Sequence, residues 1–187
     1  TGSVGKTTTK ELLYAVLSQG LSAQKTEGNL NNEIGLPLTL FRMTRDTEVM
    51  VAEMGMNHFG ELSRMTAAAQ PNIAVITNIG TSHIEFLGSR EGICKAKLEI
   101  LEGLQPGGCA VLCGDEPLLW EKRERLGCRV ITYGIENSAC DLTACLHKDG
   151  TFDIINNKLS EVALPCGEHF TAKLAIPGAH NVLNALA

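Results

Sequence analysis

A run of seven residues, Thr1-Gly2-Ser3-Val4-Gly5-Lys6-Thr7, carries the first chemistry of the chain. Two glycines let the backbone turn tightly and bring amide N–H groups close to an anion, Lys6 adds a point positive charge, and Thr7 offers a hydroxyl to a magnesium ion. This is the glycine-rich half of a phosphate-binding loop, and the first glycine of a full Walker A pattern would precede Thr1. After Thr8, an apolar helical face begins with Leu12, Leu13, Tyr14, Val16 and Leu17. A Gly/Ser turn that merely caps a helix is the alternative.

Three other residues stand where chemistry is expected. Glu53 ends an apolar run and precedes Gly55, so it is either a magnesium ligand opposite Thr7 or a solvated carboxylate at a strand end. His83 follows another apolar run and the loop Asn78-Ile79-Gly80, within reach of a phosphate, a second metal ion or only its own loop. Lys97 lies four residues from both Ile93 and Leu101, which puts an ammonium on an apolar helical face. Such an amine must snorkel, pair with an anion or change chemistry, for instance by adding CO₂ to become a carbamate. The sequence does not choose among these.

The elements that position these groups follow in order. Residues 6–19 form a helix, 21–25 a short strand, 31–41 a helical stretch opening at Asn31-Asn32, and 48–55 a strand buried on both faces. A helix at 60–69, a strand at 73–77, a helix from 89 to about 102, a strand at 110–113, a helix at 117–126 and a strand at 129–133 continue the alternation. The expected fold class is α/β: a P-loop-containing, mostly parallel, doubly wound sheet with helices on both faces. From 140 to 175 the pattern changes to extended pieces at 142–146, 151–155, 161–164 and 171–174, read as hairpins or a small additional β region. A last helix begins near His180-Asn181. In open parallel sheets ligands bind beyond the carboxyl ends of the strands, which is where the loop, Asn31-Asn32, Glu53 and His83 fall.

A length of 187 residues fits one domain, and a formal charge of −5 with scattered Lys and Arg argues against a nucleic-acid surface. No apolar run is long enough for membrane insertion. Seven cysteines, an odd number without a secretory pattern, fit reduced thiols in a cytoplasmic protein, and no Cys/His spacing suggests zinc. These motifs lead to nucleotide-dependent phosphoryl chemistry: hydrolysis, transfer to a hydroxyl, or activation of a carboxylate.

The segments 1–11 (TGSVGKTTTKE), 29–40 (NLNNEIGLPLTL), 51–62 (VAEMGMNHFGEL), 78–88 (NIGTSHIEFLG), 95–100 (KAKLEI) and 177–187 (PGAHNVLNALA) together resemble the central ATP-binding domain of the Mur ligases. The resemblance implies that residues 1–187 are that domain of a larger cytoplasmic ligase, with its feeding strand and its amino- and carboxy-terminal domains elsewhere. It implies ATP bound by Gly2, Ser3, Val4, Gly5, Lys6, Thr7 and Thr8, with His180, Asn181 and Asn184 near adenine. Two Mg²⁺ ions are implied, one on Thr7 and Glu53, the other on His83 and a carbamylated Lys97; Lys6, Glu53, His83 and Lys97 form the catalytic set. Asn31 and Asn32 would face the acceptor. The substrates implied are UDP-N-acetylmuramoyl-tripeptide and D-alanyl-D-alanine, joined through an acyl phosphate. The isolated segment would be nearly inactive. Ligases of the cyanophycin or folate type, ligases adding another amino acid, and a non-catalytic nucleotide-binding module are the alternatives.

Overall fold

The computed structural model describes residues 1–159 and 169–187. Helix α1 (Lys6–Leu17) rises directly from the glycine loop, and strands β1 (Ala23–Lys25) and β2 (Val49–Val51) pair in parallel with Ala23 opposite Val49, α2 (Gly35–Leu40) lying between them in the chain. Next come α3 (Glu61–Ala69), β3 (Ile73–Ile76), α4 (Ile84–Leu87), α5 (Arg90–Leu98), β4 (Cys109–Cys113), α6 (Pro117–Lys122) and β5 (Arg129–Gly134). Strands β6 (Leu142–Leu146), β7 (Thr151–Asn156) and β8 (His169–Lys173) follow, and α7 (Ala179–Leu186) is last.

Strands β3 to β8 form one six-stranded sheet in chain order. β3, β4, β5 and β6 are parallel, and β6, β7 and β8 antiparallel. Parallel neighbours need a crossover, supplied by helices between β3 and β5, whereas antiparallel neighbours need only a turn. The β5–β6 connection has no helix, and the two strands pair only at Tyr133–Leu142 and Gly134–Thr143. Asp115 holds that return, its carboxylate accepting the N–H groups of Ile135 (2.8 Å), Glu136 (3.1 Å) and Asn137 (2.8 Å). The fold is thus α/β with a mostly parallel sheet flanked by helices. The strands of the 140–175 region pair as antiparallel hairpins at the end of the six-stranded sheet. The extended piece expected at 161–164 lies outside the described residues.

The core is built from inward faces with the expected periods. On α5, Ile93, Ala96 and Lys97 point inward while Lys95 is exposed, and Ser89 caps the helix by accepting the Gly92 amide at 3.1 Å. Helix α5 stops at Leu98 and continues as a 3-10 segment, Glu99–Gly103, which packs on α3. Thr66 fixes that contact by donating to the Ile100 carbonyl at 2.6 Å, and Gly103 is needed because a Cβ there would lie 2.3 Å from the Thr66 carbonyl oxygen. Leu36, Leu62, Ile76, Leu112, Leu119 and Phe152 fill the interior around these contacts.

The described cysteines are free, with Cys94, Cys113 and Cys140 buried. Burial pushes the Cys113 thiol up to about 12 and those of Cys94 and Cys140 to about 11. They therefore pack as small apolar groups and are poor nucleophiles. Cys166 lies outside the described residues. No described helix is long and apolar enough to cross a membrane.

Candidate functional site

The residues just past β3 meet the glycine loop, and the ends of β1 and β2 lie against helix α1 at Lys10. Thr1 lies beside β3 like a parallel strand end, the Thr1 amine donating to Val75 O at 2.9 Å and the Thr77 amide to Thr1 O at 3.0 Å. Asn78, just past β3, accepts the Ser3 and Val4 amides on its side-chain oxygen, both at 3.0 Å. Thr77 donates to Val4 O at 2.6 Å, and the Gly80 amide donates to Ser3 Oγ at 2.9 Å. The fit leaves no space for side chains: a Cβ on Gly2 would lie 1.9 Å from Thr77 Oγ1. Gly5, at φ 82°, turns in the left-handed region, and a Cβ there would lie 2.2 Å from Asn184 Oδ1 on α7. Asn184 is thereby brought against the loop.

With Ser3 and Val4 braced, the amides left for an anion are those opening α1. The N–H groups of Lys6, Thr7 and Thr8 have no acceptor among the described residues, as at any helix start, and the helix dipole adds positive potential there. Thr7 is exposed and Thr8 half-buried. Lys6 folds back over the loop, its Nζ donating to Gly2 O at 3.0 Å. An amine held by one neutral carbonyl is readily transferred to a phosphate oxygen, which forms the stronger, charge-assisted bond.

Glu53 is 4% exposed, just beyond β2. Its amide donates to Thr26 Oγ1 at 2.9 Å, and its Oε1 accepts Asn31 Nδ2 at 2.7 Å. The other oxygen, Oε2, is buried without a hydrogen bond among the described residues, and Lys10 Nζ stands 3.8 Å away. A buried carboxylate oxygen left unshared is costly. A hard divalent cation is the partner it suits best. Asn31 thus spends its amide on Glu53, and Asn32 caps α2 by accepting the Ile34 and Gly35 amides at 3.2 and 2.8 Å.

Lys97 is 2% exposed, and its amine makes no hydrogen bond or ion pair among the described residues. Burial, and after it the charge of Lys6, push this amine down to about 8. His83 stands at the start of α4 with φ 64°, half-buried, its ring without a hydrogen bond among the described residues. No three His, Cys, Asp or Glu side chains cluster as a metal site among the described residues. The donors on hand are a hydroxyl, one carboxylate, an imidazole and an amine, a set in which nucleotide phosphates complete the shell of a magnesium ion. Such an ion fits the unshared Glu53 oxygen.

At the adenine-side positions, Asn181 Nδ2 donates back to Pro177 O at 2.7 Å, and the His180 ring lies over Gly178, whose φ is 110°. Three residues the motif did not reveal are central to the geometry. Thr77 and Asn78 brace the loop, their only sequence signal being polar residues directly after a buried strand. Lys10, 3% exposed, was hidden within the polar run Thr7-Thr8-Thr9-Lys10-Glu11 although it stands one helical turn from Lys6.

Comparison with known proteins places this arrangement. The Mur ligase middle domain matches residues 1–187. The UDP-N-acetylmuramoyl-tripeptide--D-alanyl-D-alanine ligase of Bacillus subtilis is 45% identical over 194 residues, covering 100% of the chain and 38% of the relative. The ligase of the same name from Escherichia coli is 37% identical, covering 100% and 40%. Among solved structures, MurF from Acinetobacter baumannii superposes with a TM-score of 0.85 at 34% identity, covering 99% of the chain and 39% of that one. MurF ligase from Thermotoga maritima, crystallised in complex with ADP, gives 0.83 at 32% identity, covering 99% and 42%. The chain spans about two fifths of the length of each.

Proposed function

The chain belongs to the Mur ligase family, matching its middle domain, and from that premise we propose that the full protein is a cytoplasmic, ATP-dependent ligase joining D-alanyl-D-alanine to UDP-N-acetylmuramoyl-tripeptide. The observation that carries the proposal is the unshared, buried Glu53 oxygen at the strand edge that also holds the Lys6 loop. Agreement with relatives of that name over the whole chain supports the substrate pair.

In the proposed reaction, the terminal carboxylate of the tripeptide attacks the γ-phosphorus of ATP, forming an acyl phosphate as the bond to ADP breaks. The amine of D-alanyl-D-alanine then attacks the acyl carbon, loses a proton and expels phosphate. The amides of Lys6, Thr7 and Thr8 receive the phosphates at the positive end of α1, and Lys6 follows the charge that moves to the leaving group. Thr7 and Glu53 would hold one magnesium ion, and His83 with Lys97 the second, Lys97 after its neutral amine has added CO₂ and released a proton. Bound magnesium neutralises the approaching anions. Asn31 keeps Glu53 aimed at the loop, and Asn181, Asn184 and His180 border the adenine side. Because the chain is about two fifths of its relatives' length, the amino- and carboxy-terminal domains are proposed to carry the UDP-sugar and amine sites. Residues 1–187 alone would then bind nucleotide with little ligase turnover.

A product assay on the full-length protein tests this. UDP-muramoyl di- and tripeptides are offered with D-alanyl-D-alanine or single amino acids, and product, ADP and phosphate are counted. The expected result is one equivalent each of ADP and phosphate per amide formed, with UDP-muramoyl-tripeptide and D-alanyl-D-alanine as the preferred pair. Preference for another amine or acceptor overturns the substrate assignment, and ATP binding with no ADP release overturns the ligase assignment.

A further inference from the structure

Lys10 is a buried cation that the proposed chemistry does not use. Its Nζ donates to Thr26 O at 2.9 Å, lies 3.2 Å from Glu11 Oε1, and stands 3.8 Å from Glu53 Oε2. Glu11 is itself paired with Lys25. The amine of one α1 residue therefore ties together the helix carrying the loop, the end of β1, and the carboxylate at the end of β2.

The distances decide what this amine does. At 3.8 Å it is close enough to attract Glu53 Oε2 but too far to consume the lone pairs of that oxygen in a hydrogen bond. The Thr26 carbonyl and Glu11 hold it there, so it cannot close onto that oxygen. Thr26 meanwhile accepts the Glu53 amide on its hydroxyl, and Asn31 grips the opposite carboxylate oxygen. Lys6 and Lys10 are four residues apart on one helix, so their amines rise from the same face, one toward the loop and one toward Glu53. We propose that Lys10 is a positioning residue that fixes the unshared oxygen of Glu53 at a set distance from the Thr7 hydroxyl, so that both can ligate one divalent cation. The inference rests on the assignment of Glu53 as a metal ligand made above.

The test is Mn²⁺ binding to the full-length protein in the presence of ADP, read by electron paramagnetic resonance and therefore independent of turnover. Groups that orient a metal ligand typically contribute about 10-fold to 100-fold in metal affinity. Lys10→Met is expected to weaken Mn²⁺ binding at least about 10-fold, to leave metal-free ADP affinity within about twofold, and to cause no further loss when combined with Glu53→Gln. Lys10→Arg keeps the charge but not the geometry at Thr26, and is expected to weaken Mn²⁺ binding about threefold or more. It decides the matter if Lys10→Met does not fold. Mn²⁺ affinity unchanged in the folded Lys10 variants, or the same loss persisting in the Glu53→Gln background, overturns the role of Lys10. Glu53→Gln with unchanged Mn²⁺ affinity overturns instead the assignment of Glu53.

Discussion

Replacing Lys97 with alanine is expected to lower the ligase turnover of the full-length protein by about 100-fold or more, the scale on which groups facing developing charge act. The expectation follows from where the sequence puts this amine: at the end of α5, 2% exposed, on the face that also buries Ile93 and Ala96. Burial and the Lys6 charge lower the amine to about 8, so near that pH half of it is neutral and nucleophilic toward CO₂. Activity should rise with bicarbonate and with pH up to about 8 if the carbamate is the working form. Acetate or formate should restore part of the activity of Lys97→Ala, and turnover equal to the parent would exclude the role.

The same lowered value gives a stability signature, with its sign fixed by proton counting. In the unfolded chain a lysine amine titrates near 10.5 and in the fold near 8, so between these values the unfolded state binds the extra proton. The Lys97 contribution to stability therefore rises as pH goes from about 8 to about 10.5. Below 8 the fold carries the full cost of a buried charge. Denaturant midpoints of the parent and Lys97→Ala, compared without CO₂ at pH 7.5 and 9.5, should diverge in the parent's favour at the higher pH.

The second large effect is expected at Lys6. Among the described residues its amine makes a single hydrogen bond, to Gly2 O, and Lys6→Ala should change folding stability by no more than about 1 kcal/mol. Loss of the charge-assisted bonds it would make to phosphate corresponds to about 1.5–3 kcal/mol, or roughly 10-fold to 150-fold in nucleotide affinity. Calorimetric titration with ADP and Mg²⁺ reads that loss directly, and an unchanged affinity contradicts the assignment of the loop.

Much of the fold was legible because the apolar pattern and the crossover rule act locally. The strand and helix alternation through residue 134, the loop-to-helix junction at Lys6 and the inward face carrying Lys97 all came from spacing alone. What escaped was set by partners distant in sequence. The strand read at 48–55 ends at Val51 because the Glu53 amide leaves the ladder for Thr26 Oγ1. The helix read to residue 102 tightens at Glu99 without a Gly or Pro, where Thr66 draws on the Ile100 carbonyl. The region after 140 reads as hairpins or a small additional β region, and β6, β7 and β8 do pair antiparallel; their attachment to the main sheet, with Leu142 and Thr143 beside Tyr133 and Gly134, had no local signal. Asn78 and Lys10 each look like ordinary surface polar residues until the chain is closed. One then satisfies two loop amides, and the other stands between Thr26 and Glu53. Such polar contacts depend on approach within a few tenths of an ångström and leave no periodic trace.

Glu53, His83 and Lys97 are proposed to converge with the Lys6 loop on metal-bound nucleotide. Crystals of the full-length protein grown with Mn²⁺ and a non-hydrolysable ATP analogue, measured at the manganese absorption edge, test it most directly. One anomalous peak is expected in contact with Thr7 and the Glu53 Oε2 atom, and a second bordered by His83 and a carbamylated Lys97. Manganese at the phosphates with Glu53 still unshared, or with His83 and Lys97 turned away from both peaks, would contradict it.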